Sequence, residues 1–312
     1  MENESFPFYF HFTLYKDYGG LKYLFFLLLI IVYLAILLLN VSIIWMVYKE
    51  RSLHEPMYLF IACLSANAIY GSSGLFPRLF IDVLSDSHSI SYDACSSQIF
   101  VIYTYGICEF TMLTIMAYDR CVAICYPLRY HSIMTPRTTG LLIAAGVSWP
   151  IVCKSIVTYF TARLPLCGRE ITRLYCSTWS VARLSCVSTA GNNAMGLFFT
   201  VVTIFLLVAF ILYTYIRILL VCRRSSSEFR GKALQTSLPH IVTVVTYSLS
   251  SFCDILLSRF ELGQALNIVT LLFSVEVLLV PPILNPLIYG LALPEIRKKI
   301  INRLKNASNP HK

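Results

Sequence analysis

Seven apolar runs punctuate this chain of 312 residues, at about 22–48, 57–80, 97–125, 139–160, 194–222, 237–258 and 265–290. Each matches the ~20 residues that a helix needs to cross the hydrocarbon core of a bilayer. In lipid only helices and closed barrels satisfy their own backbone hydrogen bonds, and these runs are too long and too uniformly apolar to be barrel strands. The expectation is an all-α protein, a single seven-transmembrane helix bundle over residues 22–290, with a polar tail at 1–21 and a terminal segment at 291–312. Composition agrees, since 13% of residues are charged where a soluble domain carries ~25%. The first run lacks a small-residue cleavage site and reads as a retained span, not a signal peptide. The fourth is the weakest, because it holds Trp149, Pro150 and Lys154. In the seventh, Pro281, Pro282 and Pro286 break the backbone ladder and free carbonyls that neighbours or water have to satisfy.

Charge sets the expected orientation. With the N-terminus outside, 16 of the 25 Lys and Arg fall in the inner loops and C-terminal segment, while acids balance the other nine outside. That is the arrangement of the positive-inside rule. The basic inner face suits anionic membrane lipid, and nothing points to nucleic acid. Asn3, in Asn3-Glu4-Ser5, then lies outside, where it can accept an N-glycan; the sequons at Asn40 and Asn306 lie in a span and in the cytosol. Of 11 cysteines, Cys95, Cys167, Cys176 and Cys186 lie outside. They allow two disulfides in three pairings, among which the spacing does not choose. A bridge from Cys95 to the long loop between spans 4 and 5 would pin that loop over the bundle mouth.

No enzyme is visible. The chain has no HExxH, GxSxG, Gly-rich phosphate loop or paired CxxC, and its six histidines are scattered. Cys121 and Cys125 share a helix face but have no further metal ligand, so they read as small packing residues. No cofactor is implied.

Four motifs carry a resemblance. "LHEPMYLF" (53–60) precedes span 2, "MAYDRCVAIC" (116–125) closes span 3, "KALQTSLPH" (232–240) enters span 6 and "PPILNPLIY" (281–289) closes span 7. Cys95 and Arg120 are also 25 residues apart. In this order, and in these spans, they resemble the rhodopsin-like G-protein-coupled receptors and, within them, the olfactory receptor subfamily. The likeness covers nearly the whole chain, and residues 86–111 look most like fish members.

The resemblance implies a receptor that binds a small organic odorant and activates a heterotrimeric G protein of the stimulatory, olfactory type, raising cAMP. It implies a plasma-membrane location in olfactory cilia. It pairs Cys95 with Cys176 and Cys167 with Cys186. Asn40, Asp119, Arg120, Asn285, Pro286 and Tyr289 take switch positions, with Arg120 held near Asp119 at rest and released toward the G protein, and Tyr215 supports the active arrangement. Its pocket maps to Ile102, Tyr103, Gly106 and Ile107 on span 3, Phe199 and Thr203 on span 5, and Ser251, Phe252 and Ile255 on span 6. Glu276 on span 7 would meet a cationic or hydroxylated ligand. Glu109 matches a family glutamate and is a candidate cation or proton site, although the usual aspartate partner is Ala68 here. Cys121 replaces Tyr and Ser237 replaces Cys in their motifs, and Ser248 falls near the aromatic toggle, leaving Tyr247 as its substitute. Residues 293–304 place Ile296, Ile300 and Leu304 at helical spacing among basic residues, as in a short amphipathic helix on the membrane. The opsin lysine position is Leu279, which argues against a light receptor. The competing readings are a rhodopsin-like receptor for an endogenous small molecule and, from another class, a transporter or channel, against which the odd span count and the lack of a two-halved repeat speak.

Overall fold

Each apolar run folds as a helix whose ends are set by local chemistry. The structure, a computed structural model, describes residues 8–15, 19–257, 264–293 and 295–299, and of these 232, 236, 256–257, 264–274 and 291–292 by backbone alone. Helix α1 (Leu21–Lys49) ends on Lys49, a cation where the helix dipole favours one. Helix α2 (Pro56–Leu84) starts on Pro56, whose missing N–H would have no partner there anyway. Ser91 caps α3 (Tyr92–Cys125) by accepting from the Ala94 amide at 3.3 Å. Thr135 does the same for α4 (Pro136–Ala162), accepting from Thr138 at 3.2 Å. Helix α5 (Ala190–Arg223) contains a π-helical segment at Val201–Phe205. Helices α6 (Ser227–Leu257) and α7 (Gln264–Ala292) bring the long helices among the described residues to seven. Helix α6 begins well before the apolar run at 237, because the polar stretch Ser227–Gln235 is rich in good helix formers and continues the helix beyond the greasy part.

Among the described residues, α1 to α5 are long and apolar enough to cross a membrane, and α7 supplies the apolar stretch Val275–Gly290. Helix α3 is the central post, touching α2, α4, α5 and α6. Its Met112, Leu113, Met116 and Ala117 are fully buried in a core shared with Phe60, Ile61, Leu64, Tyr247 and Tyr289. The outside is as apolar as the inside: Leu24, Leu27, Leu28, Ile31, Leu34 and Leu38 of α1 all face out. A continuous apolar surface of this extent needs a lipid or protein cover.

The internal prolines explain how the helices are fastened together. A proline at position i leaves the carbonyl of residue i−4 without its helical donor. Pro286 frees the Pro282 carbonyl, and the Asn40 side-chain amide of α1 donates to it at 2.8 Å. Pro281 frees Val277, which accepts from the Tyr105 hydroxyl of α3 at 3.4 Å. Pro150 frees Gly146, which accepts from Thr111 of α3 at 2.8 Å. Each break in one helix becomes a polar fastening to another. Where α2 crosses α3, Gly71 leaves room for the Tyr105 ring, which a Cβ there would strike.

One end of the bundle carries structure that apolar runs do not announce. A three-stranded sheet forms from β1 (Tyr9–Phe12), β2 (Ser89–Ser91) and β3 (Glu170–Ile171), in the order β2-β1-β3. Strand β1 is antiparallel to β2 and parallel to β3. Phe10, Phe12, Ile90 and Ile171 bury a second small core there with Cys95 and Cys176. The expected N-terminal tail is therefore, over residues 9–12, part of a cap on the otherwise helical bundle. At the opposite end, 295–299 are helical. Ile296 there is fully buried against the bundle core with Leu293, so this residue packs on protein and not on lipid. Lys299 pairs with Glu50 at 2.6 Å. Ile300, Leu304 and the glycan candidate Asn3 lie outside the described residues.

Candidate functional site

A cavity of about 200 Å³ opens among α3, α4, α5, α6 and α7, just beneath the disulfide-bearing end. Its roof is the loop before α5. Cys176 of that loop is bonded to Cys95 of α3, and Cys167 to Cys186 within the loop. Gln98 seats the loop further: its Oε1 accepts from the Cys176 amide at 3.0 Å while its Nε2 donates to the Gly74 carbonyl at 3.2 Å.

Eight of the ten positions expected at a pocket line this cavity: Ile102, Tyr103, Gly106, Ile107, Phe199, Thr203, Ser251 and Ile255. Two do not. Phe252 is 52% exposed on the outer side of α6, since successive helical residues point ~100° apart and Ser251 already faces in. Glu276 is displaced the same way by Val277 and Leu278, which take the wall; its Oε2 is buried without a hydrogen-bond partner among the described residues. Thr203 sits in the π-helical segment of α5, a local widening that turns its hydroxyl inward.

The wall also holds groups outside the expected pocket set. Lys154, noticed only as an oddity of span 4, faces the cavity, donates to Thr178 Oγ1 at 2.6 Å and lies 4.2 Å from the Tyr103 ring centroid. Asp254 of α6 also lines it and pairs with Arg173 of the loop at 3.3 Å. Tyr247 forms part of the wall toward the bundle centre; its hydroxyl donates to the Gly106 carbonyl at 3.0 Å and its ring meets Phe110 at 4.8 Å.

In the middle of the bundle Glu109 is fully buried and accepts from two side-chain amides, Asn67 of α2 at 3.0 Å and Asn285 of α7 at 2.6 Å. Three helices meet at one carboxylate. Asn40 and Pro286 stand beside this layer through the Pro282 fastening described above.

At the far end Asp119 is fully buried and lies 3.8 Å from the Arg120 guanidinium, while the Tyr130 hydroxyl donates to its Oδ1 at 2.7 Å. Burial pushes the Tyr130 phenol well above its ordinary pKa, and the neighbouring Asp119 charge pushes the same way. Tyr215 of α5 bonds to His240 Nδ1 of α6, and the His240 Nε2 donates to the Leu113 carbonyl of α3 at 2.9 Å. His240 thus ties three helices one layer above Arg120, a role that the "KALQTSLPH" motif marked by position but not by partner. Tyr289 is buried in the core next to them.

The family model described as "Olfactory receptor" matches residues 29–307. The chain belongs to the olfactory receptor family. Human olfactory receptor 10H1 is 32% identical over 91% of this chain and 89% of its own length. Human olfactory receptor 51E1 is 34% identical over 86% and 85%, and human olfactory receptor 2K2 is 32% identical over 97% of both. In fold the receptor is similar to squid rhodopsin, with a TM-score of 0.72 at 18% identity over 92% of this chain and 82% of that one. It is a multi-pass G-protein-coupled receptor with a small-molecule ligand, and not an enzyme.

This olfactory receptor departs from its motifs at packed positions. Cys121 touches Cys125 at 3.9 Å and leans on the cluster of Ile124, Ile218 and Cys222 between α3 and α5. Ser237 is buried with a hydroxyl that has no partner among the described residues, and Ala68 is buried one residue after Asn67, the amide that reaches Glu109.

Proposed function

We propose that the cavity beneath the disulfide-pinned loop is the odorant site, and that its occupancy is relayed through the Glu109 layer to Asp119 and Arg120. The observation that carries this reading is the cavity itself: concave, with a mainly apolar surface punctuated by polar side chains and a disulfide-pinned roof, as suits a small-molecule site. Tyr247 is the first relay, since it touches the cavity and holds an α3 carbonyl. Glu109, bonded to α2 and α7, makes any shift of one helix felt by the other two. Both its oxygens already meet amide donors, which suits a hydrogen-bonded hub better than a cation ligand.

At the far end Arg120 rests near Asp119, and exchanging that partner for the G protein gives two discrete states. Tyr215, released from His240, and Tyr289 are the groups positioned to support the second state. The receptor lies in the plasma membrane of olfactory cilia with its N-terminus outside, Asn3 available to a glycan and its basic face on anionic lipid. It couples to the stimulatory olfactory G protein.

The test is expression with that G protein, a cAMP readout and a panel of water-soluble odorants. Wild type should respond to a subset. Gly106→Phe, which fills the cavity beside Tyr247, should abolish the response at unchanged surface level. A full response from the filled variant would contradict the assignment.

A further inference from the structure

We propose that the ligand of this cavity is a small organic anion, a carboxylate or sulfonate on an apolar body, with its charge held by Lys154. The inference rests on reading the cavity as the odorant site and names the chemical class that the site takes.

Lys154 is 3% exposed in the middle of an apolar helix. Thr178 accepts one of its three N–H donors and the Tyr103 ring faces it, but both partners are neutral. Among the described residues no carboxylate lies within ion-pairing distance of Lys154. Asp254, the acid on the same wall, is engaged by Arg173, Glu109 by two amides, and Glu276 is off the wall. A buried ammonium without a counter-charge is costly, and in a membrane helix such a group marks a functional position. The cavity is the open side from which a counter-charge can come.

The rest of the wall agrees. Asn192 Nδ2 and the Thr203 hydroxyl are buried there without a hydrogen-bond partner among the described residues. An amide N–H and a hydroxyl can both donate to an anion's oxygens. A cationic ligand would be repelled by Lys154, and a purely apolar one would leave its charge uncompensated. Ile102, Ile107, Phe199 and Leu278 offer the surface for a hydrocarbon body. At about 200 Å³ the cavity admits a small free acid and excludes a phospholipid.

The experiment uses the full-length receptor purified into phosphatidylcholine nanodiscs, with fluorescence of Trp179, which lines the cavity, as the readout; Trp179→Phe identifies its signal. The probes are hexanoate, benzoate and hexanesulfonate against 1-hexanol, benzyl alcohol and hexylamine. The anions should bind at least about tenfold more tightly than the matched alcohols and amine, the scale of one charge-assisted contact. Lys154→Met should erase that preference. Lys154→Arg, which keeps the charge, should retain it within a few-fold. Lys154→Met removes a buried charge and keeps the length of the side chain, so folding is not its weak point. The proposal is overturned if no anion binds more tightly than its alcohol, or if Lys154→Met binds the anions as wild type does. Because binding is read without a G protein, a failure of coupling is distinguishable: activation by neutral odorants alone would leave the receptor reading intact and overturn this one.

Discussion

Asp119 and Arg120 are adjacent in sequence but unequal in surroundings. Asp119 is fully buried and steadied by Tyr130, while Arg120 is held only at 3.8 Å. A loosely held arginine beside a firmly held carboxylate is suited to release. Asp119→Asn should therefore raise ligand-independent cAMP severalfold, and Tyr130→Phe should do so more weakly; unchanged basal signalling in both would remove Asp119 as the restraint. The Tyr130 pKa is raised by burial and by Asp119, so the phenol stays protonated and donating through pH 6 to 9. The phenol should therefore contribute no pH dependence of its own to basal activity across that range, which a pH series on Tyr130→Phe and wild type compares directly. Asn40 is a different case. Its amide covers the carbonyl that Pro286 frees, so Asn40→Ala should cost about 1–3 kcal/mol, the penalty of a buried unsatisfied acceptor, and lower the melting temperature of the purified receptor. Sequence alone revealed the freed carbonyls, because proline chemistry is local. It did not reveal which side chains would cover them, because Asn40 and Pro282 meet across helices far apart in the chain. The same limit applies to Phe252: the spacing put it near the pocket, but only the rotation of α6 decides that Ser251 faces in and Phe252 out.

Among the elements, the seven helices were legible because a run of ~20 apolar residues has few other fates in lipid. Their ends were less so. Helix α6 starts at Ser227, in polar sequence where hydropathy is silent and helix propensity takes over. The sheet was invisible for another reason. Its strands span four, three and two residues, too short to show an alternation, and they come from three distant stretches of the chain. The bridge from Cys95 to Cys176 joins residues 81 apart in sequence and anchors both the sheet core and the cavity roof. Cys176→Ser should therefore cost stability on the order of 2–5 kcal/mol and sharply reduce surface expression. Cys186→Ser, which opens a separation of only 19, should be milder. Equal surface levels for the two variants would argue that the roof is not held by the first bridge.

At the scale of the whole molecule, cavity and switch lie at opposite ends of α3, and a path of polar side chains runs between them. Tyr247, Glu109 with its two amides, and His240 with Tyr215 form successive layers, each tying α3 to other helices. Motif order made the switch end readable, since Asp119 and Arg120 share one short motif and Asn285, Pro286 and Tyr289 another. The cavity's charge was not readable, because Lys154 looks like a flaw in a span until the fold shows which way it faces. The most direct test of the account is nucleotide exchange on a purified stimulatory olfactory-type G protein, driven by the purified receptor and an odorant that it binds. Wild type should accelerate exchange when the odorant is present, while Arg120→Ala should bind the same odorant within a few-fold yet leave exchange at its basal rate. Full exchange from Arg120→Ala, or none from odorant-saturated wild type, would contradict it.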